Sequence, residues 1–155
     1  MKTAKDYLDA ANAEVPRVPV ADAIVRHADA GALFIDVRDS GAITKTGTIA
    51  GAERVPRGFL EFAADPSTPY HNPVLQRDAE IYLVCGAGGQ AALAGKTLRE
   101  MGFTRVHNVG GIGDWKVGAA PWRSRMPPRP ERPSPHDGGE RAHMDPSGPR
   151  SATLE

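Results

Sequence analysis

The chain lacks three features that would place it in particular protein classes. It has one cysteine in 155 residues, so no disulfide can form within it. Lysine plus arginine (19) equals aspartate plus glutamate (19), which leaves no net charge to attract nucleic acid or an anionic membrane. The longest apolar runs, 32–35 and 81–85, are far shorter than the ~20 residues of a membrane span. We therefore expect a cytoplasmic protein in a reducing compartment, with neither nucleic acid nor a membrane as partner.

The one cysteine stands at a place in the sequence that favours chemistry. Cys85 follows the apolar run 81–84, which is typical of a buried strand, and precedes a glycine-rich turn at 86–90 and an alanine-rich helix starting at Ala91. A turn with little side-chain bulk lets backbone N–H groups surround the sulfur, and the positive end of the helix favours its ionised form. A buried structural cysteine has no need of those glycines, so the pattern predicts a nucleophilic thiolate.

Helical and strand-like segments alternate along most of the chain. An N-terminal helix is expected within 3–15, and 39–51 is expected to be a loop. The remaining elements are a helix at 20–28, strands at 33–37 and 52–55, a helix at 57–64, a strand at 81–85, a helix at 91–101, a strand at 105–109 and a short helix near 114–116. This alternation predicts an α/β fold, in which a parallel sheet is covered by helices on both faces.

Composition divides the chain into three parts. Residues 1–17 read as a helical extension that ends at prolines, and 18–123 carry the alternating pattern of a single domain. Residues 124–155 are rich in proline, glycine and charge and have almost no large apolar side chains. Such a segment buries too little surface to offset its ordering entropy, so we expect a disordered C-terminal tail.

Four motifs follow one another along the chain: FIDVR at 34–38, GTIAGA at 47–52 followed by a proline at 56, VCGAGGQAA at 84–92 and VGGIGDW at 109–115. In this order they resemble the rhodanese family of sulfurtransferases. The resemblance implies a three-layer fold with a five-stranded parallel sheet. It also implies that Cys85 carries a persulfide, with no metal and no organic cofactor.

The implied reaction moves a sulfane sulfur from a thiosulfate-like donor to a thiol or cyanide acceptor, with a protein acceptor left open. Cys85 would be the nucleophile, and Asp36 and Arg38 would support the site, mainly by holding neighbouring loops. The donor and the persulfide would be held by the loop residues Gly86, Ala87, Gly88, Gly89, Gln90 and Ala91. This chain departs from the family at two positions. Thr48 stands where many members have histidine, which changes the hydrogen bonding of that turn. Gln90 stands where many active loops have arginine, and because this removes a charge-assisted contact we expect weaker binding of thiosulfate.

Three other functions fit parts of the same pattern. A rhodanese-like module could bind a partner or carry sulfur without catalysis. Residues 86–91 match the dinucleotide fingerprint G-x-G-x-x-A, but 105–109 lacks an acidic residue at its end to hold a ribose. A cysteine phosphatase would need arginine at the sixth place after Cys85, where the chain has Ala91. The histidines show no spacing typical of a metal site.

Overall fold

The computed structural model describes residues 1–29, 31–118 and 121–124. The predicted tail, apart from Ser124, lies outside these residues. A 3₁₀ turn at Arg57–Phe59 leads directly into a helix that starts at Leu60. The helices are α1 (Ala4–Glu14), α2 (Val20–His27), α3 (Ser40–Thr46), α4 (Leu60–Ala64), α5 (Gly89–Glu100) and α6 (Ile112–Val117), and the strands are β1 (Ala32–Asp36), β2 (Thr48–Ile49), β3 (Glu53–Arg54), β4 (Glu80–Cys85), β5 (Arg105–Gly111) and β6 (Trp122–Arg123).

The main sheet is parallel, with its strands in the order β3-β1-β4-β5. The predicted parallel α/β architecture is confirmed, but the sheet has four strands where five were expected. At the fifth position a single parallel bridge joins Arg17 to Asn108 on β5. Pro16 and Pro19 flank this bridge and have no N–H groups, and α2 starts directly afterwards, so the ladder cannot lengthen into a strand.

Apolar layers lie on both faces of the sheet, as a parallel sheet requires. One layer joins β1 and β4 to the helices α4 and α5, and it also includes Val15 at the end of α1. Gly95 of α5 admits Val15 closely, because a Cβ at that position would stand 2.8 Å from Val15 Cγ1. The second layer places Trp115 of α6 and Ala23 of α2 against Phe34 and Tyr82. No helix in the described ranges is long and apolar enough to cross a membrane.

Three elements, α3, β2 and β6, differ from the sequence-based prediction. The segment 39–51, expected to be a loop, contains α3, which begins where the Asp39 side chain accepts a hydrogen bond of 2.9 Å from the Ala42 N–H. A capping carboxylate offsets the poor helix propensity of a glycine and two threonines. The other two are β2, which also lies within 39–51, and β6; they pair antiparallel to form a separate two-stranded sheet.

A charged cluster joins the N-terminal ends of β4 and β5 to α2. The Glu80 carboxylate, which is 8% exposed, accepts hydrogen bonds from Arg26, from Arg105 Nη2 at 2.9 Å and from the Tyr82 hydroxyl at 2.7 Å. The bonds from Arg26 and then from Tyr82 lower the pKa of Glu80 to about 2. The ionised carboxylate therefore stabilises the folded state.

We predict that Glu80→Gln lowers the free energy of unfolding at pH 7 by about 1–3 kcal/mol. The folded pKa lies below the ordinary value of 4.5, so the stabilisation is complete above that value and is lost as the pH falls towards 2. Urea denaturation at pH 7 and pH 3 measures this. The difference in free energy of unfolding between wild type and variant should be smaller at pH 3 than at pH 7.

Glu100→Gln is the matched control for this experiment. Its carboxylate pairs with Lys96 on the same helix but is 61% exposed, and exposed pairs contribute little. If Glu100→Gln lowered the free energy of unfolding as much as Glu80→Gln does, the stabilising role of the Glu80 cluster would be contradicted.

Candidate active site

The predicted site residues gather at the C-terminal ends of the parallel strands. Cys85 is the last residue of β4 and lies in register with Gly111 on β5, while Asp36 ends the neighbouring strand β1. Open α/β sheets place ligands at this edge, where the strands end and the helices begin. The fold therefore brings the cysteine, its loop and the Asp36 region to one side of the sheet.

The sulfur of Cys85 lies beneath the glycine-rich loop. The Gly88 N–H donates a hydrogen bond of 3.0 Å to Sγ, and Cys85 as a whole is 2% exposed. Gly88 reaches this position with φ of +100°, a left-handed conformation that favours glycine, and α5 starts at the next residue. A hydrogen bond from the main chain and the positive end of a twelve-residue helix therefore both act on the sulfur.

The other predicted loop residues occupy two different environments. Gly86 and Ala87 are exposed at the top of the loop. Gly89, Gln90 and Ala91 form the first turn of α5, where N–H groups have no acceptor within the helix. Among the described residues, Gly88 is the loop residue whose N–H contacts Sγ, so the expected cradle of N–H groups is represented by one contact.

Asn108 fixes the loop to β5 and was not singled out from the sequence. Its side chain is 1% exposed, and its Nδ2 donates to the Gly88 carbonyl at 3.1 Å. Its Oδ1 accepts the Gly110 N–H at 2.8 Å. One amide thus holds both the turn that contacts the sulfur and the strand beside it. An asparagine in the middle of an apolar strand is a weak signal for such a role.

Asp36 and Arg38 form a buried pair that holds the loop between α3 and β2. Arg38 Nη2 lies 2.7 Å from Asp36 Oδ2 and also donates to the Gly47 carbonyl at 2.9 Å, while Nη1 donates to Thr46 Oγ1. The Thr48 hydroxyl donates to Asp36 Oδ2 at 2.7 Å. The guanidinium of Arg38 is thus engaged by protein acceptors, and Thr48 still supplies a donor where many family members have histidine.

Arg17 is a second residue that the sequence did not indicate. Its guanidinium lies against the backbone of the loop and of β5, since a Cβ on Gly88 would stand 2.8 Å from Nη1 and a Cβ on Gly110 would stand 2.3 Å from Nη2. No motif marks this arginine, because its approach to the loop depends on the pairing of 16–18 with β5.

A family model described as the rhodanese-like domain matches residues 20–117. The chain belongs to the rhodanese-like domain family. The resemblance noted in the sequence is therefore confirmed, and Arg17 lies just outside the matched region. Among the described residues, no cluster of three or more histidine, cysteine, aspartate or glutamate side chains is arranged to hold a metal.

Relatives of this rhodanese-like chain have been described in several functional terms. A structure from Rhodopseudomonas palustris CGA009, described as a protein of unknown function and possible tyrosine phosphatase, is 36% identical, with a TM-score of 0.75 over 79% of this chain and 96% of that one. The polysulfide-sulfur transferase homodimer of Wolinella succinogenes is 28% identical, with a TM-score of 0.61 over 78% of this chain and 87% of that one.

A curated relative in Bacillus subtilis (strain 168), YrkF, is described as a candidate sulfur carrier protein. It is 31% identical over 83 residues, which are 53% of this chain and 40% of that protein. The match thus spans less than half the length of the Bacillus protein. Proteins described as handling sulfur are therefore among the relatives of this chain. These matches do not identify the substrates of the chain itself.

We predict that Asn108→Ala lowers the free energy of unfolding by about 1–3 kcal/mol, because it leaves the buried Gly110 N–H without its partner and removes one of the two hydrogen bonds to the Gly88 carbonyl, which keeps the bond from the Ala92 N–H. Hydrogen exchange of the Gly110 N–H should quicken by about tenfold or more. Asn72→Ala is the control, since this buried asparagine also makes two hydrogen bonds, in the loop before β4. Equal quickening at Gly110 in both variants would contradict a local role for Asn108.

Proposed function

We propose that the protein is a sulfurtransferase that carries a sulfane sulfur as a persulfide on Cys85. The observation that carries the proposal is the hydrogen bond of 3.0 Å from the Gly88 N–H to Sγ, made where β4 ends and α5 begins. A donor at that point stabilises negative charge on the thiolate and later on the persulfide. This is the same electrostatic device as an oxyanion hole.

The reaction consists of two displacements on sulfur. The Cys85 thiolate attacks the outer sulfur of thiosulfate; the new S–S bond forms as the bond to the sulfonate sulfur breaks, and sulfite leaves with the electron pair. A thiolate or cyanide then attacks the outer sulfur of the persulfide, which releases an organic persulfide or thiocyanate and restores the Cys85 thiolate. Neither step requires an added oxidant or reductant.

The exposed part of the loop is the approach for both substrates. Cys85 itself is buried, whereas Gly86, Ala87 and Gln90 are exposed around it. A donor would therefore reach the sulfur over small residues, with Gln90 as the loop side chain best placed to contact it. A polysulfide fits the same approach, as does a thiol acceptor on another protein. We expect such thiols in a reducing, cytoplasmic setting, which also keeps Cys85 reduced.

Phosphatase activity is the main rival, because the R. palustris neighbour is described as a possible tyrosine phosphatase. Phosphoryl transfer needs a guanidinium to clamp the transferred group. At the sixth place after Cys85 this chain has Ala91, which is 0% exposed and packed in the core. Sulfur transfer to a persulfide needs no such clamp, so the loop favours the sulfurtransferase reading.

Intact-protein mass spectrometry tests the proposal. After incubation with thiosulfate or polysulfide, the wild type should gain the mass of one sulfur atom and lose it on addition of cyanide, while Cys85→Ser should gain nothing. Since the chain has one cysteine, the site of modification is unambiguous. Absence of the added sulfur with every donor, or hydrolysis of p-nitrophenyl phosphate that depends on Cys85, would overturn the proposal. Sulfur uptake without turnover to small acceptors would point to a carrier.

We predict that Gln90→Arg lowers KM for thiosulfate by about fivefold, because it adds a charge-assisted hydrogen bond at an exposed position of the loop. Gln76→Arg adds the same charge on the exposed loop before β4 and should leave KM unchanged. Steady-state thiocyanate formation at fixed cyanide measures both variants. If KM fell equally in both variants, the effect would come from the net charge of the protein and not from a contact at position 90.

A further inference from the structure

Arg17 is held in place by the main chain on either side of it. The Val18 N–H donates to the Asn108 carbonyl and the Asn108 N–H donates to the Pro16 carbonyl, both at 2.9 Å. The same Asn108 holds the Gly88 turn through its side chain. The backbone of Arg17 and the loop around Cys85 are therefore tied to one residue of β5.

The guanidinium of Arg17 fits against two glycines with positive φ, Gly88 at +100° and Gly110 at +93°. A Cβ on Gly110 would stand 2.3 Å from Nη2, and a Cβ on Gly88 would stand 2.8 Å from Nη1. Any larger residue at either position would displace the guanidinium. The close approach thus depends on both glycines.

The positive charge of Arg17 has no counter-charge in the described part of the chain. None of the hydrogen bonds or ion pairs there involves its side chain, in contrast to Arg26 and Arg38, which both pair with buried carboxylates. Arg17 is exposed, so an anion in solution can reach it. An exposed, unpaired guanidinium near a nucleophile is suited to bind an anionic substrate.

The distances place this charge close to the reacting sulfur. Gly88 N lies 3.0 Å from Sγ, and Nη1 lies 2.8 Å from the Cβ position of Gly88, so Nη1 is within about 8 Å of Sγ. The loop itself has no cation, since positions 86–91 read GAGGQA. We propose that Arg17 binds the anionic group of a sulfur donor such as thiosulfate. The N-terminal segment would thereby supply the positive charge that the loop lacks.

This proposal rests on the sulfurtransferase function, but it can be tested without sulfur transfer. Iodoacetate and iodoacetamide alkylate the same thiolate and have similar size, yet only iodoacetate carries a negative charge. The ratio of their rate constants at Cys85, measured by intact mass on the full chain, reports the local charge. A change that merely loosens the loop would move both rates together and leave the ratio unchanged.

Arg17→Gln should lower the iodoacetate-to-iodoacetamide ratio by roughly three- to tenfold at low salt, and the effect should shrink towards none at 1 M NaCl. Arg17→Lys should retain most of the ratio. Arg77→Gln is the matched control, because this exposed arginine donates to the Met101 carbonyl beyond the C-terminal end of α5. In the thiosulfate assay Arg17→Gln should raise KM by a similar factor, and adding Gln90→Arg should restore it.

An unchanged ratio in Arg17→Gln, or an equal fall in Arg77→Gln, would overturn the role of Arg17. Persulfide formation is measured on aliquots of the same preparations that have not been alkylated, so the anion site and the sulfur-transfer reaction can be contradicted separately. A wild type that is alkylated with a charge-dependent ratio but takes up no sulfur would overturn the proposed reaction and leave the anion site standing. A Cys85 that reacts with neither reagent in the folded protein would overturn both.

Discussion

The contact between the Gly88 N–H and the Cys85 sulfur is the constraint around which this end of the sheet is built. It requires a left-handed turn directly after β4, and glycine adopts that conformation without the strain that a Cβ would add. The turn also starts α5, so the hydrogen bond and the helix dipole act on the same atom. Asn108 holds the carbonyl side of the turn, which keeps the N–H directed at the sulfur.

Positive charge near the sulfur comes from outside the loop. Arg38 lies at the same end of the sheet but is buried, and it bonds to Asp36, Thr46 and Gly47, so its charge serves to fix the α3–β2 connection. The Arg17 guanidinium lies against the loop and is exposed. Arg38 therefore has a structural role, whereas Arg17 is open to solvent. A residue outside the matched rhodanese-like region, 20–117, therefore lies against the loop that holds Cys85.

The order of the main elements and the place of the cysteine could be predicted from the sequence, because both rest on local patterns. The apolar run ending at Cys85 and the glycines after it are contiguous, and their spacing indicates a strand, a turn and a helix. α3 was missed because its glycine and threonines resemble a loop, and its start depends on the Asp39 cap. β6, the Asn108 bridge and Arg17 depend on pairing between distant segments, which local periodicity does not encode.

The prolines that flank Arg17 also affect whether two molecules of this protein can associate through the edges of their sheets. A long exposed β-edge can template pairing with a second chain and so seed aggregation. Here the β5 side is capped by one bridge between Pro16 and Pro19, which offer no N–H donors, and the opposite side ends in the two-residue, fully charged strand Glu53–Arg54. Both edges of the sheet therefore disfavour intermolecular β-pairing. One edge lacks N–H donors at its two prolines, and the other consists of charged residues.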